Sequence, residues 1–148
     1  MKAEPDILHL LESAGEAAFG TVEDGKPYVS SVGILYEKAS VSQETGRIFL
    51  LLSGLARHTR NLLRNPEVSL LLSDRAKEQS IHERPRLTIQ GTAVPVQSAD
   101  ACAKLKTAYL RRFPQAEMFL SLPDFRFYEV IFRELHWVGG FGAVRTLR

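Results

Sequence analysis

A single cysteine, Cys102, stands in a chain of 148 residues, so no internal disulfide can form and a reducing compartment is expected. No apolar run approaches the roughly 20 residues of a membrane-spanning helix; the stretch at 48–52 is strand-sized. No basic-then-apolar leader opens the sequence, which predicts a cytoplasmic protein without a membrane partner. Charge of one sign is lacking as well. Lys and Arg total 19 against 17 for Asp and Glu, a formal net charge of +2, which gives no sign of a nucleic-acid partner. The four histidines show no His-x-x-x-His spacing, and one cysteine adds no zinc pattern, so no metal site is expected. Gly-x-Gly-x-x-Gly, P-loop and Gly-x-Ser-x-Gly sequences are all missing, which removes the Rossmann, Walker and nucleophile-elbow readings.

What is present is ordinary globular composition, 45% apolar and 24% charged, at the length of one domain spanning 1–148. Apolar residues at helical spacing predict a helix over 5–14, with Pro5 tolerated in its first turn and Gly15 ending it. Strands are expected at 17–22 and 28–36, joined by a tight turn in which Asp24-Gly25 supplies positive φ angles. Further strands are expected at 47–52, 68–73, 86–96 and 125–137, with Gly91 and Pro95 marking a bulge or bend. Helices are expected at 55–64 and 98–113, the second capped by Ser98, with a short helical piece between Pro114 and Pro123. Residues 37–46 and 74–84 read as loops, the latter a mobile surface loop, and 139–142 as a glycine tail. Six strands with a few helices predict a mainly β (α+β) fold, a small antiparallel barrel under helical cover.

The most informative segment runs from Ser53 to Asn61, out of a strand and into a helix. Backbone N–H groups at a helix start are unpaired, and the helix dipole favours an anion there. Ser53 and Thr59 add hydroxyl donors, Arg57 a planar fork matched to phosphate oxygens, and His58 a further donor. Arg57, Asn61 and Arg64 fall on one helix face, while Leu55, Leu62 and Leu63 are expected to turn inward. A solvated basic helix with a serine cap is the competing account.

Three other features are open to two readings. Ser30 and Ser31 are adjacent in a strand and point to opposite faces, so one can meet a ligand while the other meets the core. His136-Trp137 either lines a pocket or ends a strand as an aromatic plug. Aromatics among basic residues at 109–113 and 125–128 read as core, with Tyr109, Phe113 and Phe119 facing inward, rather than as a nucleic-acid surface.

Taken in order, several segments resemble the pyridoxamine 5′-phosphate oxidase-like FMN-binding split-barrel superfamily. They are Thr21-Val22 before Glu23-Asp24-Gly25-Lys26-Pro27-Tyr28, Gly46-Arg47-Ile48-Phe49-Leu50-Leu51, Arg57-His58, and Asn65-Pro66-Glu67-Val68-Ser69-Leu70-Leu71. The stretch 51–62, with Gly139-Gly140-Phe141-Gly142, is similar to the haem-utilisation branch. The resemblance covers nearly the whole chain. It implies a six-stranded split barrel that dimerises, with FMN in clefts between the two protomers, and haem as the alternative ligand. The family's phosphate-binding Arg-Lys pair falls on Arg57 and His58, so the arginine is kept and the lysine replaced. Its riboflavin-contacting strand falls on Ser30, Ser31 and Val32, and its ring-edge strand near Leu51, where backbone groups serve. A glutamine contact falls on Arg86, which brings a cation toward the ring. The implied cofactor set is thus Ser30, Ser31, Val32, Leu51, Ser53, Arg57, His58, Thr59, Asn61 and Arg86. The oxidase's C-terminal substrate pattern is not reproduced by Leu135-His136-Trp137-Val138-Gly139, so vitamin B6 oxidation is not implied. Longer members of the haem branch carry an additional C-terminal domain. The expectation is an FMN-dependent oxidoreductase, with a non-enzymatic haem or flavin binder as the alternative.

Overall fold

The computed structural model describes residues 4–38, 40, 44–74, 80–140 and 142–148. Alternation of apolar and polar residues yields eight strands among them: β1 (Glu16–Glu23), β2 (Lys26–Gly33), β3 (Leu35–Glu37), β4 (Arg47–Ser53), β5 (Glu67–Ser73), β6 (Arg86–Pro95), β7 (Phe125–Val138) and β8 (Val144–Leu147). They form one antiparallel sheet in the order β2-β1-β5-β6-β7-β4-β3. The far edge of β7 is shared, with β4 along 125–130 and β8 along 135–138. The helices are α1 (Pro5–Ser13), α2 (Arg57–Arg64), α3 (Ala99–Arg112) and α4 (Glu117–Leu120), the last entered through a 3-10 turn at Pro114–Ala116.

The fold class is as expected, a mainly β split barrel, but the strand count is eight where six were expected. Two local facts account for the difference. The run 28–36 does not continue as one strand: β2 pairs with β1, whereas β3 pairs with β4 at the opposite end of the sheet. The chain turns this corner at Ile34, whose N–H donates to Gly15 O, and so brings the two sheet ends together. The residues after the glycines return as β8, aided by positive φ at Gly140 and Gly142, so 125–137 is not the last strand.

Other local expectations hold. Asp24 and Gly25 both have positive φ, as a tight hairpin turn requires. The β6–β7 register shifts between Gln90 and Gly91, where a side chain at Gly91 would collide with the backbone of Ile131. Ser98 Oγ accepts the N–H of Ala101 at the start of α3. Of the loop expected at 74–84, residues 75–79 lie outside the described residues, and Glu83 and Arg84 donate backbone N–H groups to Ser80 O.

Two apolar clusters result. One fills the barrel, with Phe19, Ile48, Leu50, Leu70, Leu87, Ile89 and Leu135 sealed by Ile7, Leu10 and Leu11 of α1. The other lies outside it, where Leu105 and Tyr109 of α3 pack on Leu35, Phe49 and Phe127. Phe113 packs against this second cluster, but Phe119 is exposed on α4, contrary to its core reading. Among the described residues no helix is long and apolar enough to cross a membrane.

Candidate functional site

Strand alternation places Phe19, Thr21 and Glu23 of β1 on one face of the hairpin, opposite Ser30, Tyr28 and Lys26 of β2. α2 lies on this face and contacts it through polar groups. His58 Nδ1 is 2.9 Å from Ser30 Oγ, and the imidazole meets the Phe19 ring edge-on at 5.6 Å. Asn61 Nδ2 donates to Thr21 Oγ1 at 3.1 Å. Arg57 donates through Nε and Nη2 to the Glu23 carboxylate at 2.6 and 3.2 Å, with its guanidinium 4.4 Å from the Tyr28 ring centroid. Thr59 is 0% exposed, and its Oγ1 has no hydrogen-bond partner among the described residues.

The helix begins at Arg57, two residues later than expected, and its N-cap is Ala56, which has no side-chain acceptor. Ser53 is therefore not the cap. Its Oγ accepts the N–H of Leu55 and donates to Asp124 Oδ2, while Gly54 N–H bonds to Asp124 O. The first-turn N–H groups of α2 thus have no cap, and no acidic residue lies in that turn. The leucines also differ from expectation: Leu62 is buried, but Leu55 is 77% and Leu63 60% exposed. Asn61 is buried rather than sharing a solvent face with Arg57. α2 buries the polar Thr59 and Asn61 beside Leu62, while its outer side carries Arg57, Arg60 and Arg64 together with the exposed Leu63.

Electrostatics follow from these contacts. Burial pushes the His58 imidazole below its ordinary value, so it is neutral near pH 7. The hydrogen bond and charge of Arg57 hold the Glu23 carboxyl below the usual range, and Glu23 in turn raises Arg57.

The other face of the same strands carries a cleft of about 580 Å³. It is lined by residues 13–18, Val29, Ser30 and Ser31, and Leu71, Ser73 and Asp74. Ser30 belongs to both regions, since it lines the cleft and bonds His58. Arg86 lies opposite Ser73 in register, beside the cleft, with Nη1 3.4 Å from the carbonyls of Ile81 and Arg84. The row Ser31, Ala18, Leu71, Thr88, His136 and Thr146 crosses five strand pairings on this outer face. His136 Nδ1 is 2.9 Å from Thr146 Oγ1, while Trp137 turns into the barrel core as a plug.

Of the ten candidate residues, the structure gathers Ser30, Arg57, His58, Thr59 and Asn61 around α2, and sets Ser31 and Arg86 on the outer face. Ser53 is at the turn before α2. Two stand apart: Val32 is buried in the barrel opposite Ala17, and Leu51 packs with the cluster beneath α3. Thr21, Glu23 and Tyr28 also meet α2; in the sequence they stand within the hairpin segment of the resemblance but outside the implied cofactor set. Their signal was parity, since alternate residues of a tight hairpin must share the face that α2 covers. Among the described residues no group of three or more His, Cys, Asp or Glu could hold a metal ion.

An antiparallel barrel whose chain turns one corner to join both sheet ends, with a polar-faced helix across its hairpin, is a split barrel of the pyridoxamine 5′-phosphate oxidase-like type. Residues 9–147 match the family described as "CREG, beta-barrel", and the chain belongs to that family. It is similar to the chloroplastic heme oxygenase HOZ of Arabidopsis thaliana, 35% identical over 95 residues. That match takes in 64% of this chain but 28% of the plant protein, so the chain spans little more than a quarter of that relative. It is also similar to the heme oxygenase HutZ of Vibrio cholerae, 29% identical over 145 residues, 95% of this chain and 78% of HutZ. The crystal structure of HutZ, there described as a heme storage protein, superposes with a TM-score of 0.73 at 26% identity, covering 90% of this chain and 92% of that one. A protein of the pyridoxamine 5′-phosphate oxidase type from Listeria innocua has a TM-score of 0.69 over 91% of this chain and 97% of its own, and at 16% identity shows the fold alone.

Proposed function

We propose that this chain is a one-domain, cytoplasmic, FMN-binding split-barrel oxidoreductase that works as a homodimer. The observation that carries the reading is the start of α2: N–H groups without a side-chain cap, and the buried hydroxyl of Thr59 in the same turn, which has no partner among the described residues. A buried unsatisfied hydroxyl is costly, and a phosphate oxygen is the acceptor that would satisfy it. The donor set therefore fits FMN. Arg57, Thr59 and the first-turn N–H groups of α2 hold the phosphate. Ser30 leads from there to the cleft, where Ser31, Val29 and Leu71 flank the ring and Arg86 places a cation near it. FMN supplies hydride or electron transfer, and the protein contributes anchoring, orientation and exclusion of water. Val29 and Leu71, both exposed and apolar on the outer face, support a second copy closing the cleft.

The test is the visible spectrum of the purified protein before and after FMN addition and removal of excess. Flavin bands retained at about one per chain, bleached by anaerobic NADPH or NADH, are the expected result. Absence of retained flavin overturns the reading.

Haem is the second reading, favoured by the heme oxygenase relatives and by His136. Its Nδ1 is hydrogen-bonded to Thr146 on the same sheet face as the cleft, so Nε2 would be the atom left to hold an iron. A saturable Soret change on hemin titration, lost in His136→Ala, is its signature.

A further inference from the structure

Three of the four side chains expected to grip an anion around the start of α2, Ser53, Arg57 and His58, are already engaged by groups of the protein itself, and Thr59 is the exception. Ser53 Oγ donates to Asp124 Oδ2 at 2.8 Å, and Arg57 closes a two-pronged bond on Glu23. We propose that Glu23 is a built-in competitor for the ligand's anionic group. It occupies Arg57 in the free protein, and its displacement sets which anions are admitted. The inference rests on the reading that an anionic cofactor group docks at this helix.

Three features make Glu23 suited to that role. It is the last residue of β1, and the Asp24-Gly25 turn fixes its backbone, so the carboxylate is presented to α2 from a rigid support. The Tyr28 ring beneath the guanidinium keeps Arg57 oriented toward the hairpin whether or not Glu23 holds it. Both partners are solvent-accessible, with 57% of the Arg57 and 32% of the Glu23 side chain exposed, so the pair can open without unfolding anything. Other Arg–carboxylate pairs, such as Arg47–Glu129 and Arg133–Glu67, join strands away from α2.

The charge arithmetic gives selectivity. An incoming carboxylate replaces Glu23 on Arg57 one negative charge for one. A phosphate dianion brings two, and the displaced Glu23 stays nearby as a third, so like-charge repulsion falls hardest on phosphates. Removing the carboxylate charge should therefore tighten phosphate-bearing ligands selectively.

The experiment compares wild type with Glu23→Gln, which keeps the shape and removes the charge. FMN and riboflavin, which lacks the phosphate, are titrated by flavin fluorescence. Inorganic phosphate is titrated separately by following the backbone amides of His58 and Thr59 in NMR spectra. FMN affinity is expected to rise about tenfold in Glu23→Gln, the scale of one charge-assisted contact, with riboflavin unchanged. The gain should vanish in Glu23→Gln/Arg57→Gln. Circular dichroism and Tm of each variant separate binding from folding. Unchanged or weaker FMN binding in Glu23→Gln overturns the proposal, as does an equal gain for riboflavin. If no flavin binds either protein, the FMN reading falls, and phosphate decides alone: tighter phosphate binding in Glu23→Gln upholds the competitor role, and no difference removes it.

Discussion

α2 and α3 both lie against the sheet, yet they cover it by opposite means. α3 presents Leu105 and Tyr109 to Leu35, Phe49 and Phe127, and leaves its charged residues in water. α2 buries Thr59 and Asn61 beside Leu62, half-buries His58, and leaves Leu63 exposed, as Leu55 is in the turn before it. Burying apolar area is the general source of cohesion, whereas a polar buried face adds little net stability and leaves groups to be satisfied. The difference sets a division of labour to be tested: α3 supplies apolar cohesion, and under the proposed reading the buried polar groups of α2 serve a ligand.

The sharpest way to break the comparison is to truncate the stabilising side. Leu105→Ala removes a buried side chain from the α3 cluster and should cost about 3 kcal/mol of stability, with cofactor affinity unchanged in the folded fraction. Urea denaturation measures the first and flavin titration the second. A comparable loss of affinity would deny the division of labour. Arg57→Ala is the converse. It should weaken FMN binding roughly tenfold, as for one charge-assisted contact, and leave the unfolding midpoint nearly unmoved. The proposed homodimer can be probed in the same series: wild type should sediment as a dimer and Val29→Glu with Leu71→Glu as a monomer in analytical ultracentrifugation, whereas a monomeric wild type removes the dimer and a dimeric variant moves its interface elsewhere.

Thr59→Val sharpens the contrast at smaller scale. The two side chains have nearly the same shape, but valine has no hydroxyl to leave unsatisfied in a fully buried position. The free protein should gain about 1 kcal/mol, while FMN binding weakens. A residue whose replacement stabilises the protein but impairs binding is one kept for its ligand. Loss of stability in this variant would show that Thr59 Oγ1 has a partner within the fold.

How far the sequence reveals this depends on whether local chemistry or long-range pairing decides the outcome. The Asp24-Gly25 turn, the Ser98 cap and the bulge at Gly91 were legible because each is set by a few adjacent residues. The corner at Ile34 was not. Residues 28–36 have strand character throughout, and only their different partners, β1 and β4, divide them. β8 was hidden because four residues after a glycine run carry little pattern, and its place is set by pairing with β7. In the candidate site, the α2 start was legible from its donors, and Ser30 from its strand. The side chain of Leu51 packs beneath α3, away from the face where α2 sits, which leaves only its backbone groups for the ring-edge contact the resemblance implies. The burial of Thr59 and Asn61 with Leu63 left exposed could not be read from residue types, since leucine is the side chain that ordinarily turns inward.

The smallest expected effect tests whether the burial of polar groups on α2 carries a proton-linked cost. His58 is half-buried against Phe19 with Ser30 on Nδ1, and burial lowers its affinity for a proton below that of the unfolded chain, whose value is near 6.5. Between the folded and unfolded values the unfolded chain binds the additional proton, so stability rises with pH across that window. It is fully present above the unfolded value and is lost as pH falls from about 6.5 toward the folded one. The groups facing His58 do not reverse the sign, since Phe19 is apolar, Ser30 is neutral, and Glu23 is engaged by Arg57 on the same helix. The Tm of the ligand-free protein should therefore drop more steeply between pH 7 and pH 5 than that of His58→Gln. Phosphate should flatten the wild-type curve, because an anion at the α2 start favours the protonated imidazole that burial alone disfavours. A wild-type slope equal to that of His58→Gln would mean that α2 leaves its histidine as well hydrated as the unfolded chain does.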